Sequence, residues 1–254
     1  MALNKNSNAY TFIFAIVMVV IVGVALAFTS VSLKPLQEKN AVQKKMLSIL
    51  ASVGVEAERE TSAELFEQYF AKRIAVNHEG EVIRESEGPI DPKDMEDPFN
   101  VDVQKEFRST EMKPEDRSYP LYLAEIDGER ISVIPLAGKG LWGPIWGYIA
   151  LREDDNTIYG ASFDHAGETP GLGAEISEQN FGDQFKGKTL YDESGNLVSI
   201  TLEKTGASPD APHAVDGITG GTITSKGVEE MIRRTMGVYS AYFEKENTEL
   251  SSTQ

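Results

Sequence analysis

The chain is 254 residues long, room for one sizeable domain with an appendage. With 40 acidic residues against 24 basic ones the net charge is −16, which excludes the basic surface that nucleic acid selects. No cysteine is present, so disulfides and a cysteine-ligated iron–sulfur cluster within the chain are excluded. The three histidines (His78, His165, His213) are scattered without metal-ligand spacing.

In chain order, Thr11 to Phe28 is an uncharged apolar run. Its length suits a single membrane-spanning helix, since ~20 residues cross the hydrocarbon core. Ala25-Leu26-Ala27 resembles a signal-peptide cleavage site, but the run exceeds the usual ~7–15-residue apolar core of such a peptide. The reading is an uncleaved anchor, with the span over about residues 10–30. Gly23 and Ala27 form a small-xxx-small pair that admits a neighbouring helix or is incidental in a lipid-facing one. Only Lys5 precedes the span, whereas Lys34, Lys39, Lys44 and Lys45 follow it, and the positive-inside rule alone would keep the following domain in the cytoplasm.

Val42, Met46, Ile49 and Leu50 have helical spacing and predict a separate juxtamembrane helix, closing an anchor region over residues 1–50. A globular domain over 51–245 follows, with 246–254 as a polar, disordered tail. A helix is expected over Ser62–Arg73, with Leu65, Phe66, Tyr69 and Phe70 on one face, then a hairpin over Ile74–Val82. From Glu87 to Pro120 the chain is acidic and proline-rich and reads as a long excursion with short elements at most. Strands are expected at Leu121–Ile126, Ile131–Pro135, Trp146–Leu151, Thr157–Phe163 and Leu197–Leu202. The fold class is α+β: one N-terminal transmembrane helix, then a domain with a largely antiparallel sheet and packed helices.

The most informative stretch is Asp216-Gly217-Ile218-Thr219-Gly220-Gly221-Thr222-Ile223-Thr224. Three hydroxyls (Thr219, Thr222, Thr224) crowd beside Gly220 and Gly221, which free the backbone for φ > 0 and close approach. A helix is expected from about Ser225 to Phe243, capped by Ser225 or Thr224, with Val228, Met231, Ile232, Thr235, Tyr239, Tyr242 and Phe243 on its apolar face. A glycine turn before a helix N-terminus favours phosphate. By itself the pattern also fits a capped turn with no ligand. No GxGxxG opens a helix and no GxxxxGK[ST] occurs, so neither nucleotide-binding fingerprint applies.

Asp216-x-x-Thr219-Gly220-Gly221-Thr222 resembles the flavinylation motif Asp-x-x-(Ser/Thr)-Gly-Ala-Thr of FMN-binding domains in the sodium-translocating NADH:quinone reductase and the Rnf electron-transport complex. The resemblance implies FMN held covalently on Thr222 through a phosphoester, made from FAD by a separate Mg²⁺-dependent flavin transferase. Thr224 is the rival hydroxyl, and Gly221 stands where the family usually has alanine. Asp216 either braces the turn or, by the resemblance, is recognised by the transferase.

Three further segments carry the likeness. His165-x-x-Glu168-Thr169-Pro170-Gly171-Leu172-Gly173 is similar to a family loop lying against the flavin, which implies polar contacts from Glu168 and Thr169 and an apolar ring contact from Leu172. Without the resemblance, Leu172 is equally a plug into the core. Gly138-Lys139-Gly140-Leu141-Trp142 resembles the family's Gly-x-Gly-Leu-Trp segment and makes Trp142 a ring neighbour, where the residues alone suggest core packing. Lys204-Thr205-Gly206-Ala207 is similar to a Lys-Gly-Gly-Ala turn, so Lys204 is either a charge near the flavin or a solvated surface lysine. Leu33-Lys34-Pro35-Leu36-Gln37 is similar to a juxtamembrane segment of the reductase and favours that complex over Rnf.

The resemblance therefore implies a subunit relaying electrons from NADH towards quinone, with the other membrane subunits of the complex, six in all, as partners. Its place would be the bacterial inner membrane, with the FMN domain on the periplasmic side, against the lysine count. The alternatives are the G subunit of the ferredoxin-linked Rnf complex and a non-redox extracytoplasmic binding or assembly domain. The chain alone should be neither NADH oxidase nor pump, because it lacks a dinucleotide fingerprint and its span has no ionisable residue.

Overall fold

Leu121 and Tyr122 are neighbours in one strand, so their side chains leave opposite faces of the sheet, yet both are fully buried in the computed structural model. A sheet with buried residues on both faces needs a cover on each, and that requirement organises the domain. The structure describes residues 7–204 and 206–252, the last four of these as backbone alone. The chain divides between Lys44 and Lys45 into two units.

The first unit holds most of α1 (Asn8–Ser52), a helix long and apolar enough to cross a membrane. Its apolar side chains from Phe12 to Phe28 are exposed. The expected anchor and juxtamembrane helix are a single helix that runs through Pro35. Proline there lacks the N–H that would bond the carbonyl one turn back, but its φ is already helical and no glycine adjoins it, so the helix continues.

In the second unit, six strands pair antiparallel throughout: β1 (Lys72–Val76), β2 (Val82–Glu87), β3 (Tyr119–Ile126), β4 (Glu129–Lys139), β5 (Pro144–Leu151) and β6 (Ile158–His165), in the spatial order β2-β1-β3-β4-β5-β6. β7 (Thr201–Glu203) and β8 (Ala214–Asp216) form a separate parallel pair. Two helices flank the excursions, α3 (Val103–Arg108) and α4 (Gln179–Asp183).

One face is covered by the end of α1 and by α2 (Ser62–Tyr69). Met46, Ile49 and Leu50 are buried, and Ser162 Oγ donates to the carbonyl of Ser48 at 2.7 Å. Gly160 is needed here, since a Cβ on it would stand 2.5 Å from the Ser52 carbonyl. Phe66 stacks on Phe70 at 4.9 Å and meets Phe99 edge-on at 5.4 Å. Lys45 is half-buried in this layer. Its ammonium donates to the carbonyls of Phe99 and Val101 and lies 4.6 Å from the Phe99 ring, and burial pulls its pKa down to about 8. Arg73 is buried too, with both ends of its fork on Asp97 at 3.0 and 2.7 Å.

The other face is covered by α5 (Thr222–Ser252), which buries Val228, Met231, Ile232, Thr235, Tyr239, Tyr242 and Phe243. Two glycines let it come close to β4. A Cβ on Gly138 would meet Met231 Cβ at 2.8 Å, and one on Gly227 would meet the Lys139 carbonyl at 2.3 Å. This contact fixes where the first turn of α5 sits.

The structure corrects several boundaries. The helix expected over Ser62–Arg73 ends at Tyr69, because Lys72 and Arg73 pair with β2 and β3 and Arg73 turns inward to Asp97. The final strand shrinks to Thr201–Glu203, with Leu197 making only an isolated bridge to Tyr191. The long helix begins at Thr222, not Ser225, and continues to Ser252 across most of the expected disordered tail; residues 253–254 lie outside the described residues. Glu246 holds that end, through an ion pair with Arg130.

Candidate functional site

The glycine–threonine stretch forms the turn between β8 and α5. Gly221 N–H donates to the Ile218 carbonyl at 2.9 Å, and Gly220 takes a φ of 75°, in the region where glycine carries no Cβ penalty. Ser225 caps nothing; its Oγ accepts from Ile218 N–H at 2.9 Å and ties the turn down onto the helix. Thr222 is therefore the first residue of a 31-residue helix, where backbone N–H groups have no carbonyl one turn back and the partial charge is positive.

The three threonines differ sharply. Thr224 is 1 % exposed and its hydroxyl donates to Glu168 Oε2 at 2.7 Å. Thr219 is exposed and Thr222 is half-buried. Both line a cavity of about 160 Å³ shared with Leu202, Lys204, Ile218, Gly220 and Lys226. Lys226, one helical turn after Thr222, is held in place by Glu229 through contacts of 3.0 and 2.8 Å. The cavity is thus bordered by two lysines, one of them ion-paired with Glu229, and by a helix N-terminus, a setting that suits a phosphoryl group.

The loop after β6 packs against the turn before α5. Gly171 has a φ of 74°, and Leu172 packs on Gly220, whose missing Cβ would lie 2.6 Å from Leu172 Cδ2. Thr169 is exposed and its carbonyl accepts from the N–H groups of Leu172 and Ala174. Glu168 is 5 % exposed; besides Thr224, it accepts from Trp142 N–H at 2.8 Å through Oε1. The loop between β4 and β5, which Glu168 reaches, is closed by the Gly140 N–H to Gly143 carbonyl bond at 2.8 Å. Trp142 stands 69 % exposed on it, so the core-packing alternative for this tryptophan does not hold.

Asp216 ends β8. Its Oδ1 accepts from Ala207 N–H, pinning the turn that follows Lys204, and its own N–H donates to Gln184 Oε1 at 2.9 Å. Lys204 is exposed and faces the cavity; Thr205 of the same motif lies outside the described residues.

The sequence reading passed over three residues at this site. Leu141 and Ile223 are exposed apolar side chains beside Trp142 and Thr222, and Lys226 is the second cation of the cavity. Helical spacing from Thr222 would have placed Lys226 on the same face. Beyond α1, the exposed large apolar residues among those described fall in two groups. One is Val82, Ile83 and Met95 by the edge strand β2; the other is Leu141 and Trp142 in the β4–β5 loop, Leu172 in the loop after β6 and Ile223 in the first turn of α5.

Residues 140–237 match the FMN-binding domain family, a range that contains every segment of the site. Over 223 residues the chain is 35 % identical to the C subunit of the Na(+)-translocating NADH-quinone reductase of Pseudomonas aeruginosa, covering 84 % of this chain and 85 % of that protein. The chain belongs to this family of reductase C subunits. Its counterpart in Vibrio vulnificus is 32 % identical over 204 residues, covering 79 % of each chain. The crystal structure of the Parabacteroides distasonis member superposes with a TM-score of 0.70 at 38 % identity, over 83 % of this chain and 96 % of that one. Of the two complexes the motifs suggest, the Na(+)-translocating reductase is the one whose C-subunit family includes this chain. The α+β fold with an apolar N-terminal helix agrees with that membership.

Proposed function

We propose that this chain is the membrane-anchored FMN carrier of a sodium-translocating NADH:quinone reductase, with the flavin phosphate esterified to Thr222. The observation that carries this is the contrast among the hydroxyls. Thr222 opens α5 and lines the cavity between Lys204 and Lys226, whereas Thr224 is buried and committed to Glu168. FMN has an apolar ring system and a dianionic phosphate. The exposed set Leu141, Trp142, Leu172 and Ile223 suits the former, and the lysine-lined cavity at a helix N-terminus suits the latter. When bound, FMN supplies one- or two-electron transfer.

The chain's own residues bind, orient and shield. Lys204 and Lys226 with the first N–H groups of α5 neutralise phosphate, and each such exposed interaction is worth ~0.3–1 kcal/mol. Trp142 and Leu172 offer apolar surface to the ring, through which a protein sets the properties of a flavin held by its phosphate alone. In forming the ester, Thr222 Oγ bonds to the FMN-side phosphorus of FAD, the phosphoanhydride breaks, AMP leaves, and the hydroxyl proton passes to a base of the separate flavin transferase. That transferase and the other members of the complex, six subunits in all, are the partners.

The anchor is α1, with the domain on the periplasmic side of the inner membrane. The lysine distribution opposes that orientation less than a bare count suggests. The positive-inside rule is weak for long translocated domains, and a whole globular unit follows this span.

Co-expression with a flavin transferase tests the assignment. Wild type should show in-gel flavin fluorescence and a mass increase of FMN less water. Thr222→Val should lose both while folding, and Thr219→Val should keep both. Covalent flavin on the Thr222→Val protein would overturn the assignment, and a wild type without flavin absorbance would point to a non-redox domain.

A further inference from the structure

We propose that Glu168 is a positioning residue which fixes the attachment threonine and the Trp142 platform relative to each other without itself touching the flavin. The inference rests on the reading of Thr222 as the attachment residue. Three segments meet at this carboxylate. Oε1 accepts from the backbone N–H of Trp142 at 2.8 Å, and Oε2 accepts from the hydroxyl of Thr224 at 2.7 Å. The backbone N–H of Glu168 donates to His165 Nδ1 at 3.1 Å, which holds the loop from its own side.

The surroundings are shaped around the carboxylate. A Cβ on Gly140 would stand 2.5 Å from Oε1, and one on Gly173 would stand 2.4 Å from Oε2 and 2.6 Å from Thr224 Oγ1. Neither glycine has a positive φ, so what demands glycine there is close approach to Glu168, not backbone conformation. With the residue 5 % exposed and each oxygen already bonded and flanked by a glycine, little surface remains for a ligand.

What Glu168 can do is transmit position. Thr224 lies two residues after Thr222 on the same helix, so clamping Thr224 clamps the first turn of α5. Trp142 is exposed, and the backbone bond to Glu168 is the link that sets its loop against that turn. Buried carboxylates that accept two such bonds are costly to remove because both donors lose their partner.

The carboxylate is replaceable by an amide for this task. Glutamine can accept from Trp142 N–H through its oxygen and donate to Thr224 Oγ1 through its nitrogen, because a hydroxyl can turn to accept. Geometry survives and charge is lost. A direct electrostatic contact with the flavin would behave the other way.

The test uses the full chain in membranes, co-expressed with flavin transferase, in wild-type, E168Q, E168A, T224V and E168A/T224V forms. The readouts are the fraction carrying covalent flavin, the visible absorbance and the midpoint potential of the attached flavin. E168Q should stay near wild type in all three. E168A should lower the attached fraction roughly tenfold, the scale of losing a hydrogen bond to a charged group, and shift the absorbance of what remains. T224V should fall between them with its flavin still on Thr222, and the double variant should be no worse than E168A.

A shift in potential as large in E168Q as in E168A would overturn the proposal, as would wild-type behaviour of E168A or additive losses in the double variant. If E168A does not fold, T224V must lower attachment while E168Q does not; the reverse overturns the proposal. T222V in the same series separates the two readings. Covalent flavin on T222V sinks the attachment assignment, and the absorbance comparison of E168Q with E168A still judges Glu168.

Discussion

Leu172 lies directly against Gly220: the Cβ that glycine lacks would sit 2.6 Å from Leu172 Cδ2. Gly220 also has a φ of 75°, so the position excludes a side chain on two separate grounds. The contact joins the loop after β6 to the turn before α5, and it sets an apolar residue against Gly220, which lines the same cavity as Thr222.

Gly220→Ala should therefore cost more than an ordinary turn substitution. The backbone contribution alone is about 1–3 kcal/mol for a non-glycine residue held in the left-handed region. Thermal unfolding of the detergent-solubilised chain should show a lowered midpoint, and Leu172→Ala in the same protein should recover only the steric part. Full recovery by Leu172→Ala would mean that the backbone angle is not the obstacle.

Trp142→Ala and Leu172→Ala, singly, should leave FMN attached while shifting its absorbance or its midpoint potential. The motivation is their exposure, 69 % and 40 %, in loops tied through Glu168 and Gly220 to the turn that opens α5. Spectroelectrochemistry on the purified chain reads this directly. Unchanged spectra and potentials in both variants would remove these residues from the ring's surroundings.

Topology is open to a direct label. Asp183 is exposed on α4 and the native chain has no cysteine, so Asp183→Cys provides one reactive thiol. A membrane-impermeant maleimide should modify it in intact spheroplasts. Protection until lysis would put the domain in the cytoplasm and vindicate the lysines that follow the span.

The strand alternation and the apolar face of α5 were legible because burial imposes a period on the sequence. All seven residues placed on that helix face are buried. The threonine motif was legible through its spacing. The direction of each polar side chain was not. Glu168 points inward to Trp142 and Thr224, and Asp216 points back to Ala207, because their partners lie up to 56 residues away and no local period records them. The same holds for the stretch after residue 245, polar in sequence yet helical, since Glu246 finds Arg130 across 116 positions. Lys45 counts as a flanking cation in the sequence and proves to be a half-buried donor, because only the fold brings Phe99 and Val101 to it.

The last prediction concerns the far end of α5, where Asp155 is buried at a φ of 53°. Arg130 lies between it and Glu246, with an Arg130–Asp155 contact of 3.3 Å. Burial raises the Asp155 carboxyl to about 6; Arg130 opposes the shift, Glu246 and Asp154 add to it, and a hydrogen bond from Asn247 opposes it. The folded pKa thus lies above the unfolded one, near 4. Between these values the folded chain holds a proton that the unfolded chain has released. Stability from this group is then fully present below about pH 4 and lost as pH rises through about 6, a change on the order of 2 kcal/mol once solvent screening is discounted. Asp155→Asn keeps a neutral side chain at every pH and tolerates the left-handed backbone. Denaturant unfolding at steps from pH 4 to pH 7 should show the variant gaining stability relative to wild type across that window. Parallel curves for the two proteins would mean that Asp155 ionises in the folded chain as readily as in the unfolded one.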